Sequence, residues 1–234
     1  MRILYHNSIG MPEFDEIANG EAYENCSVEK QQHIDEIQQI VKQSNSPLEG
    51  NVCFLHNTGN THADLFAKQK NLFWCGTQAS TRMCEIGFNA GHSAMLLLLG
   101  RDKSVLGFTV FDIGHHPYTK PCLEYIQSKF PHVHFEYIEG DSTVTIPKWI
   151  QANATYLGVY DVVHVDGGHT KHCIINDMKH ADLLVKKGGI VIIDDTNVEH
   201  IHSCANAYIS CGKYREMEIL KTERYRHRIL QKIK

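Results

Sequence analysis

The spacing of apolar residues along the chain changes near residue 80. Before that point, apolar positions recur at helical intervals and predict a helix over roughly residues 28–43. A second helix is predicted to start at Thr61, a suitable N-cap with Asp64 three residues later. After residue 80, short apolar strands alternate with helices, which is typical of βαβ units.

The alternating part of the chain predicts a parallel sheet covered by helices on both faces. Its predicted strands are residues 82–88, 105–112, 133–140, 160–167 and 189–195. The helices predicted between them are residues 93–100, 121–130, 146–153 and 172–187, followed by one near 199–211. Residues 214–220 and 224–233 are predicted to pair antiparallel at the sheet edge, joined by residues 221–223.

The predicted fold is therefore α/β: a doubly wound, Rossmann-like sheet of seven strands, mostly parallel, with a C-terminal antiparallel hairpin. Residues 1–80 are predicted to form an N-terminal helical extension or cap, and residues 81–234 the main domain.

Composition narrows the class of protein. The chain has 234 residues, 42% hydrophobic, with 23 Lys and Arg against 27 Asp and Glu and no long basic tract. Nucleic acid is therefore an unfavoured partner. The longest apolar run, residues 94–99, is about a third of a membrane span, and residues 1–16 contain no long apolar segment. Eight scattered cysteines without a Cys-x-x-Cys pair predict reduced thiols, so we expect a soluble, cytoplasmic protein.

A glycine-rich turn follows the first predicted strand. Glu85, Gly87 and Gly91 lie at this strand-to-helix junction, where glycines let the backbone approach a ligand closely. The spacing Glu-x-Gly-x-x-x-Gly differs from the phosphate-binding loop and from the dinucleotide motif Gly-x-Gly-x-x-Gly, which disfavours an NAD-dependent enzyme. Asp112 ends the next strand, where a carboxylate can accept hydrogen bonds from ribose hydroxyls. The alternative is an ordinary tight turn without a ligand.

These residues resemble the first motif of the class I S-adenosylmethionine-dependent methyltransferases, and residues 81–234 fit that family. The resemblance implies that Glu85, Gly87 and Gly91 bound the methionine end of the cofactor pocket and that Asp112 holds the ribose. It also implies that Asp141 and Ser142 lie near the adenine. Ser93, first in the predicted helix, is expected either to cap that helix or to contact the cofactor carboxylate.

Two neighbouring strands are predicted to end in acidic residues, Asp166 after the fourth strand and Asp194 and Asp195 after the fifth. Three carboxylates at one sheet edge raise one another's pKa, and a hard divalent cation commonly relieves their repulsion. Oxygen ligands favour Mg²⁺, Mn²⁺ or Ca²⁺ over zinc. The alternative is that Asp194 caps the next helix while Asp195 faces water.

His169 follows Asp166 by three residues, on a loop expected to overhang the same edge. Imidazole ordinarily titrates near pH 6.5, so His169 is the first candidate for a general base, with Asp166 as its catalytic neighbour. His172, Lys171 and the pair His115–His116 are weaker candidates.

The segments "VHVDGGHT" and "LLVKKGGIVIIDDTN" resemble the metal-dependent O-methyltransferases. The nearer group includes macrolide-sugar and cephalosporin-biosynthesis enzymes, and the catechol type is more distant. This resemblance implies a divalent metal, Mg²⁺ foremost, on Asp166, Asp194 and Asp195. The catechol type has a catalytic lysine where this chain has His169.

The expected activity is metal-assisted methyl transfer from S-adenosylmethionine to a hydroxyl of a small acceptor, either a sugar or a catechol-like diol. A metal-independent methyltransferase acting on nitrogen or a carboxylate is one alternative. A catalytically silent scaffold that binds an adenosyl ligand is another. A homo-oligomer is compatible with the sequence.

Overall fold

The computed structural model describes residues 20–55, 60–101, 104–217 and 219–234. Within them the helices are α1 (Glu21–Asn25), α2 (Ser27–Gln43), α3 (Ala63–Thr77), α4 (His92–Gly100), α5 (Thr119–Lys129), α6 (Ser142–Ala152), α7 (Lys171–Leu184) and α8 (Glu199–Ser210). The strands are β1 (Arg82–Ile86), β2 (Gly107–Asp112), β3 (His134–Glu139), β4 (Tyr160–Val165), β5 (Val185–Ile193), β6 (Tyr214–Glu216) and β7 (Arg228–Lys232).

The seven strands form one sheet in the order β3-β2-β1-β4-β5-β7-β6. Strands β1 to β5 pair parallel, whereas β7 pairs antiparallel with both β5 and β6. Strands β2 and β3 are added on one side of β1, and β4 and β5 on its other side. Doubly wound sheets open a ligand crevice at this change of side, between β1 and β4. The predicted doubly wound fold with antiparallel C-terminal strands is confirmed.

Hydrophobic side chains cover both faces of the sheet, because the strands carry apolar residues on both sides. One core joins the sheet to α2, α3, α4 and α5, with Ile37 and Leu72 among its buried members. The other joins it to α6, α7 and α8, with Ile146 and Met178 buried there. Helices that precede residue 80 thus share a core with the sheet.

Two glycines bring α3 and α4 into close contact. A Cβ atom on Gly76 would lie 2.1 Å from the Leu97 carbonyl oxygen, and one on Gly100 would lie 2.0 Å from that of Phe73. Helix α4 is buried along almost its whole length, which explains why its sequence is apolar on every face. The division of the chain at residue 80 stays a prediction, and residues 1–19 of its first part lie outside the described residues.

The structure corrects several predicted helix boundaries. His62, rather than Thr61, caps α3, because its Nδ1 accepts from the Asp64 amide at 3.1 Å. Gly91, in the left-handed region at φ +79°, is the N-cap of α4, so Ser93 does not cap that helix. Helix α7 ends at Leu184, and the lysines predicted to be helical belong to β5.

The terminal strands are shorter than predicted: β6 ends at Glu216 and β7 begins at Arg228, so their connection is longer than residues 221–223. The cause is Asp64, whose Oδ2 accepts from the amides of residues 223, 224 and 225 at 3.1, 2.6 and 3.1 Å. Those amides cannot also pair within a sheet. Asn71 holds the same connection through the backbone N–H and carbonyl of Leu220.

All eight cysteines are free thiols. None of the helices in the described residues combines the length and the apolar character needed to cross a membrane.

Asp161 fixes the start of β1 from the edge opposite to the acidic cluster. Its buried carboxylate accepts from the amides of Ser80, Thr81 and Arg82 at 3.0, 2.6 and 2.9 Å and pairs with Lys186. Burial acts to raise the pKa of Asp161, but Lys186 and these donors outweigh it and hold the pKa below its usual value.

We predict that Asp161→Ala lowers the free energy of unfolding by about 2–4 kcal/mol, because it leaves buried donors unpaired. Because the folded-state pKa is depressed, this contribution is complete above the unfolded pKa of about 3.9 and fades as the pH falls below it. Urea unfolding at pH 7 and pH 3 measures both effects. The control Asp35→Ala, whose exposed carboxylate accepts a hydrogen bond from the Gln31 side chain, should stay within about 0.5 kcal/mol. Equal losses in the two variants would contradict the prediction.

Candidate active site

A cavity of about 910 Å³ opens at the carboxyl ends of β1, β2, β4 and β5. Helix α3 and residues 49–55 complete its wall. The predicted site residues that line it are Gly87, Ser93, Asp112, Asp141, Ser142, Asp166, His169, Asp194 and Asp195. Glu85 and Gly91 do not belong to this lining.

The glycine loop passes directly against the end of β4. Gly87 has φ +90°, and a Cβ atom there would lie 2.0 Å from the carbonyl oxygen of Asp166. Only glycine combines this left-handed conformation with such a close approach. At Gly91, an added Cβ would lie 2.5 Å from side-chain atoms of Phe88 and Ile126. The lack of a side chain at Gly91 therefore lets these two residues pack against the loop.

Asp112 organises the glycine loop as well as lining the cavity. Its Oδ2 accepts from the amides of Phe88 and Asn89 at 2.8 and 2.9 Å, and Oδ1 accepts from the Gly114 amide at 2.7 Å. A carboxylate oxygen can accept two hydrogen bonds, so Oδ1 keeps capacity for a ligand hydroxyl. Holding of the ribose by Asp112 stays a prediction.

Glu85 lies beneath the cavity wall, in contrast to the position expected from its motif. It is fully buried and accepts from the Ser93 hydroxyl at 2.5 Å and from Nδ1 of His164 at 2.8 Å. Ser93 lines the cavity, but its hydroxyl donates to Glu85. Asp141 caps α6 by accepting from the Thr143 amide at 2.9 Å.

Residues 49–55 cross the mouth of the cavity above the glycine loop. The Asn89 side-chain amide donates to the carbonyls of Glu49 and Gly50. The Tyr118 hydroxyl donates to Oδ1 of Asn89 at 2.7 Å, and the His116 ring stacks on Tyr118. The loop before α3 is thereby tied to the ends of β1 and β2.

The three predicted carboxylates converge on the cavity where β4 and β5 end. Ligand atoms of Asp166 and Asp194 lie within 4.8 Å of each other and of His164, and those of Asp166 and Asp195 within 4.8 Å of each other and of His169. Asp166 is common to both groups. Val198 caps α8, so Asp194 does not have the capping role considered as an alternative.

Lys68, on α3, was not predicted to belong to this cluster. Its Nζ lies 2.5 Å from Oδ1 and 2.7 Å from Oδ2 of Asp194, with both side chains nearly buried. Burial acts to lower the pKa of Lys68, but Asp194 and Asp166 outweigh it and raise the pKa overall. One sequence feature could have indicated this role: Lys68 lies on the apolar face of the predicted helix, between Leu65 and Leu72.

The ion pair makes the three carboxylates unequal. Burial acts to raise the pKa of Asp194, but Lys68 lowers it to about 2. Burial and the charge of Asp194 raise the pKa of Asp166 well above its usual value, and the same two causes raise that of Asp195. If all three carboxylates are ionised, they and the Lys68 ammonium together carry two negative charges, which a divalent cation would balance.

His169 is exposed and paired with the cluster. Its Nε2 lies 3.0 Å from Oδ2 of Asp195. The backbone carbonyl oxygen of His169 lies 2.6 Å from Nε2 of His200. In the tautomer that donates from Nε2 to Asp195, Nδ1 of His169 is free to accept a proton.

A comparison with known proteins matches residues 84–196 to a family model described as a methyltransferase domain. No curated protein matches the chain in sequence. Among solved structures, the O-methyltransferase from Bacillus cereus in complex with SAH is 15% identical, with a TM-score of 0.60 over 87% of this chain and 91% of that chain.

Two further structures connect this fold with natural-product chemistry. TomG from Streptomyces achromogenes, an O-methyltransferase involved in tomaymycin synthesis and solved with SAM, is 15% identical, with a TM-score of 0.61 over 86% of this chain and 90% of its own. CalS11, a TDP-rhamnose 3′-O-methyltransferase of calicheamicin biosynthesis, is 15% identical, with a TM-score of 0.57 over 88% and 95%. At these identities the likeness is one of fold.

We predict that Gly87→Ala disrupts the glycine loop and weakens S-adenosylhomocysteine binding at least tenfold, because the new methyl group collides with backbone that carries Asp166. The matched control is Gly158→Ala, which has a similar φ of +66° but no atom within 4 Å of the added Cβ. It should cost about 1 kcal/mol of stability and leave binding unchanged. Isothermal titration and thermal unfolding measure the two effects. Unchanged binding by Gly87→Ala would contradict the role of this close approach.

Proposed function

We propose that this chain is an S-adenosylmethionine-dependent methyltransferase, as the methyltransferase-domain model matched over residues 84–196 supports, and that the methyl group goes to a hydroxyl oxygen of a small polyhydroxylated acceptor with the help of a divalent cation. The observation that carries this proposal is the carboxylate cluster, which faces the same cavity as the glycine loop. A methyl donor and a cation-bound hydroxyl would therefore meet in one space.

The residues present fit a divalent cation. Among the described residues, the Asp166 carboxylate has no hydrogen-bond partner, although it is at the centre of both ligand groups. Asp195 keeps Oδ1 available while its Oδ2 faces His169. When bound there, a divalent cation supplies a Lewis acid that lowers the pKa of an acceptor hydroxyl.

The glycine loop and Asp112 would hold the methyl donor at one end of the cavity, and the acidic cluster would hold the acceptor at the other. Orientation of the two reactants end to end supplies much of the rate in such displacements. The oxygen–carbon bond forms as the carbon–sulfur bond breaks, the acceptor proton goes to Nδ1 of His169, and S-adenosylhomocysteine leaves.

A vicinal diol suits this site, because two neighbouring oxygens can chelate one cation. A sugar is our first choice, supported by the fold shared with an enzyme named for TDP-rhamnose. The apolar residues Leu55, Leu65 and Tyr225 line the same cavity and would accommodate a ring face.

The eight free thiols support a reducing, cytoplasmic compartment.

A metal-independent methyltransferase is the second candidate, favoured by one observation. Lys68 already places a positive charge on Asp194, so a charged side chain could assist an acceptor without a metal ion.

Chelation and a ligand variant separate these candidates. We expect the chelator-treated protein to bind S-adenosylhomocysteine but to methylate sugar diols only after Mg²⁺ or Mn²⁺ is restored. Asp166→Asn should reduce turnover at least about 100-fold, on the scale of losses at metal sites. The control Asp182→Asn removes a carboxylate that pairs with Lys213 and should retain turnover.

Mass spectrometry of the acceptor measures methylation, and isothermal titration measures S-adenosylhomocysteine binding. Full activity after chelation would establish the metal-independent reaction, and cofactor binding without any product from a broad diol panel would indicate a silent scaffold.

We also predict that His169→Gln lowers the rate constant of methyl transfer about 10²- to 10⁴-fold, the range for loss of a general base. Cofactor affinity should be unchanged, because His169 lies at the acceptor end. His172→Gln, on the neighbouring exposed turn of α7, serves as the control. Single-turnover kinetics across pH 5–9 measure the effect. A loss below threefold would assign the proton transfer to another group.

A further inference from the structure

His164 and Glu85 form a buried pair directly behind the acidic cluster. They are register partners on the adjacent strands β4 and β1, and their side chains are 1% and 0% exposed. Nδ1 of His164 lies 2.8 Å from Oε1 of Glu85, and the same oxygen accepts from the Ser93 hydroxyl. The imidazole is therefore fixed in orientation by Glu85, which does not line the cavity and is itself held by Ser93.

The other nitrogen of this imidazole has no partner. Nε2 of His164 is buried and makes no hydrogen bond within the described residues. A ring nitrogen of His164 lies within 4.8 Å of carboxylate oxygens of Asp166 and Asp194, and Nε2 is the nitrogen that Glu85 leaves without a partner. Buried polar atoms are nearly always paired in native proteins, so an unpaired nitrogen on a histidine beside two carboxylates indicates a missing ligand.

Asp194 is the better satisfied of the two carboxylates. Its Oδ1 accepts from the Asp195 amide at 2.8 Å, and both of its oxygens contact Lys68. Asp166 has no such partners within the part of the chain that the structure describes, so next to Asp194 the free ligand positions belong to Asp166 and to Nε2 of His164.

From this geometry we propose that Nε2 of His164 is a direct ligand of the divalent cation, together with Asp166, and that Asp194 mainly serves as the partner of Lys68. The inference rests on the metal-assisted function proposed above and changes its ligand set. Glu85 and Ser93 are then positioning residues, since a proton on Nδ1 shared with Glu85 leaves the Nε2 lone pair directed at the cation.

The mixed donor set changes which cation the site prefers. Imidazole nitrogen suits Fe²⁺, Ni²⁺, Cu²⁺ and Zn²⁺, whereas Mg²⁺ and Ca²⁺ are bound almost entirely through oxygen; Mn²⁺ prefers oxygen but, as a transition metal, accepts an imidazole more readily than Mg²⁺ does. A site that includes His164 should therefore select Mn²⁺ over Mg²⁺, in contrast to the preference expected from three aspartates.

The test is to load the metal-stripped, full-length protein with Mn²⁺ and to record nitrogen couplings by electron spin-echo envelope modulation. The signal of free Mn²⁺ gives the affinity in the same samples. We expect a directly coordinated ¹⁴N in the wild type, loss of that coupling in His164→Gln, and Mn²⁺ affinity reduced about 10- to 100-fold. The matched control is His180→Gln, which changes another buried histidine with an unpartnered ring nitrogen, on α7.

Folding of each variant is checked by S-adenosylhomocysteine binding. If His164→Gln does not fold, Glu85→Gln leaves the imidazole in place and should still weaken Mn²⁺ about tenfold. Unchanged affinity and couplings in Glu85→Gln would overturn the positioning role.

The remaining outcomes distinguish this inference from the function on which it rests. Bound Mn²⁺ without nitrogen coupling, or a coupling that survives in His164→Gln and disappears in His169→Gln, would overturn the ligand role of His164 and leave the metal-assisted function intact. Failure to bind any divalent cation would overturn both.

Discussion

The ion pair between Lys68 and Asp194 connects the helices that precede the sheet to its reactive edge. Lys68 comes from α3 and Asp194 follows β5, so one contact spans 126 residues of sequence. Removing one partner of such a buried pair generally costs about 3–5 kcal/mol, because the other charge remains without compensation. The pair also sets the charge of the cluster, since it satisfies one carboxylate and leaves Asp166 and Asp195 to a ligand. Helix α3 is thus part of the active site as well as part of the core.

The sequence predicted the sheet and the convergence of three carboxylates at one of its edges, because both depend on local patterns. Alternating apolar strands and helices fix a doubly wound sheet, and acids at strand ends must then share one edge. What sequence could not provide was the use of individual side chains across long separations. Asp64 was expected to support the start of α3, yet it binds three amides near residue 224 and thereby shortens the terminal strands. Glu85 matched a cofactor motif, yet it faces a histidine on the neighbouring strand.

His164 is a second residue whose place in the cluster was not predicted from the sequence. It precedes Asp166 by two residues, so the alternation of side chains in a strand places both on one face. That signal is present in the sequence, but Val162, Val163 and Val165 surround the position, and a buried core histidine fits the same pattern. Only the pairing of β1 with β4 shows that the Glu85 carboxylate lies beside Nδ1 of His164 and that Nε2 has no partner among the described residues.

The close approach of Gly87 to Asp166 has a thermodynamic consequence. The loop assigned to the cofactor and the carboxylate assigned to the cation are in backbone contact, and the Asp166 amide donates to the Ile86 carbonyl at 2.8 Å. A ligand that shifts or stiffens the loop must therefore also act on the carbonyl and amide that hold Asp166. The two binding equilibria are then linked, and linkage is reciprocal: whatever factor the adenosyl ligand applies to cation affinity, the cation applies to the adenosyl ligand.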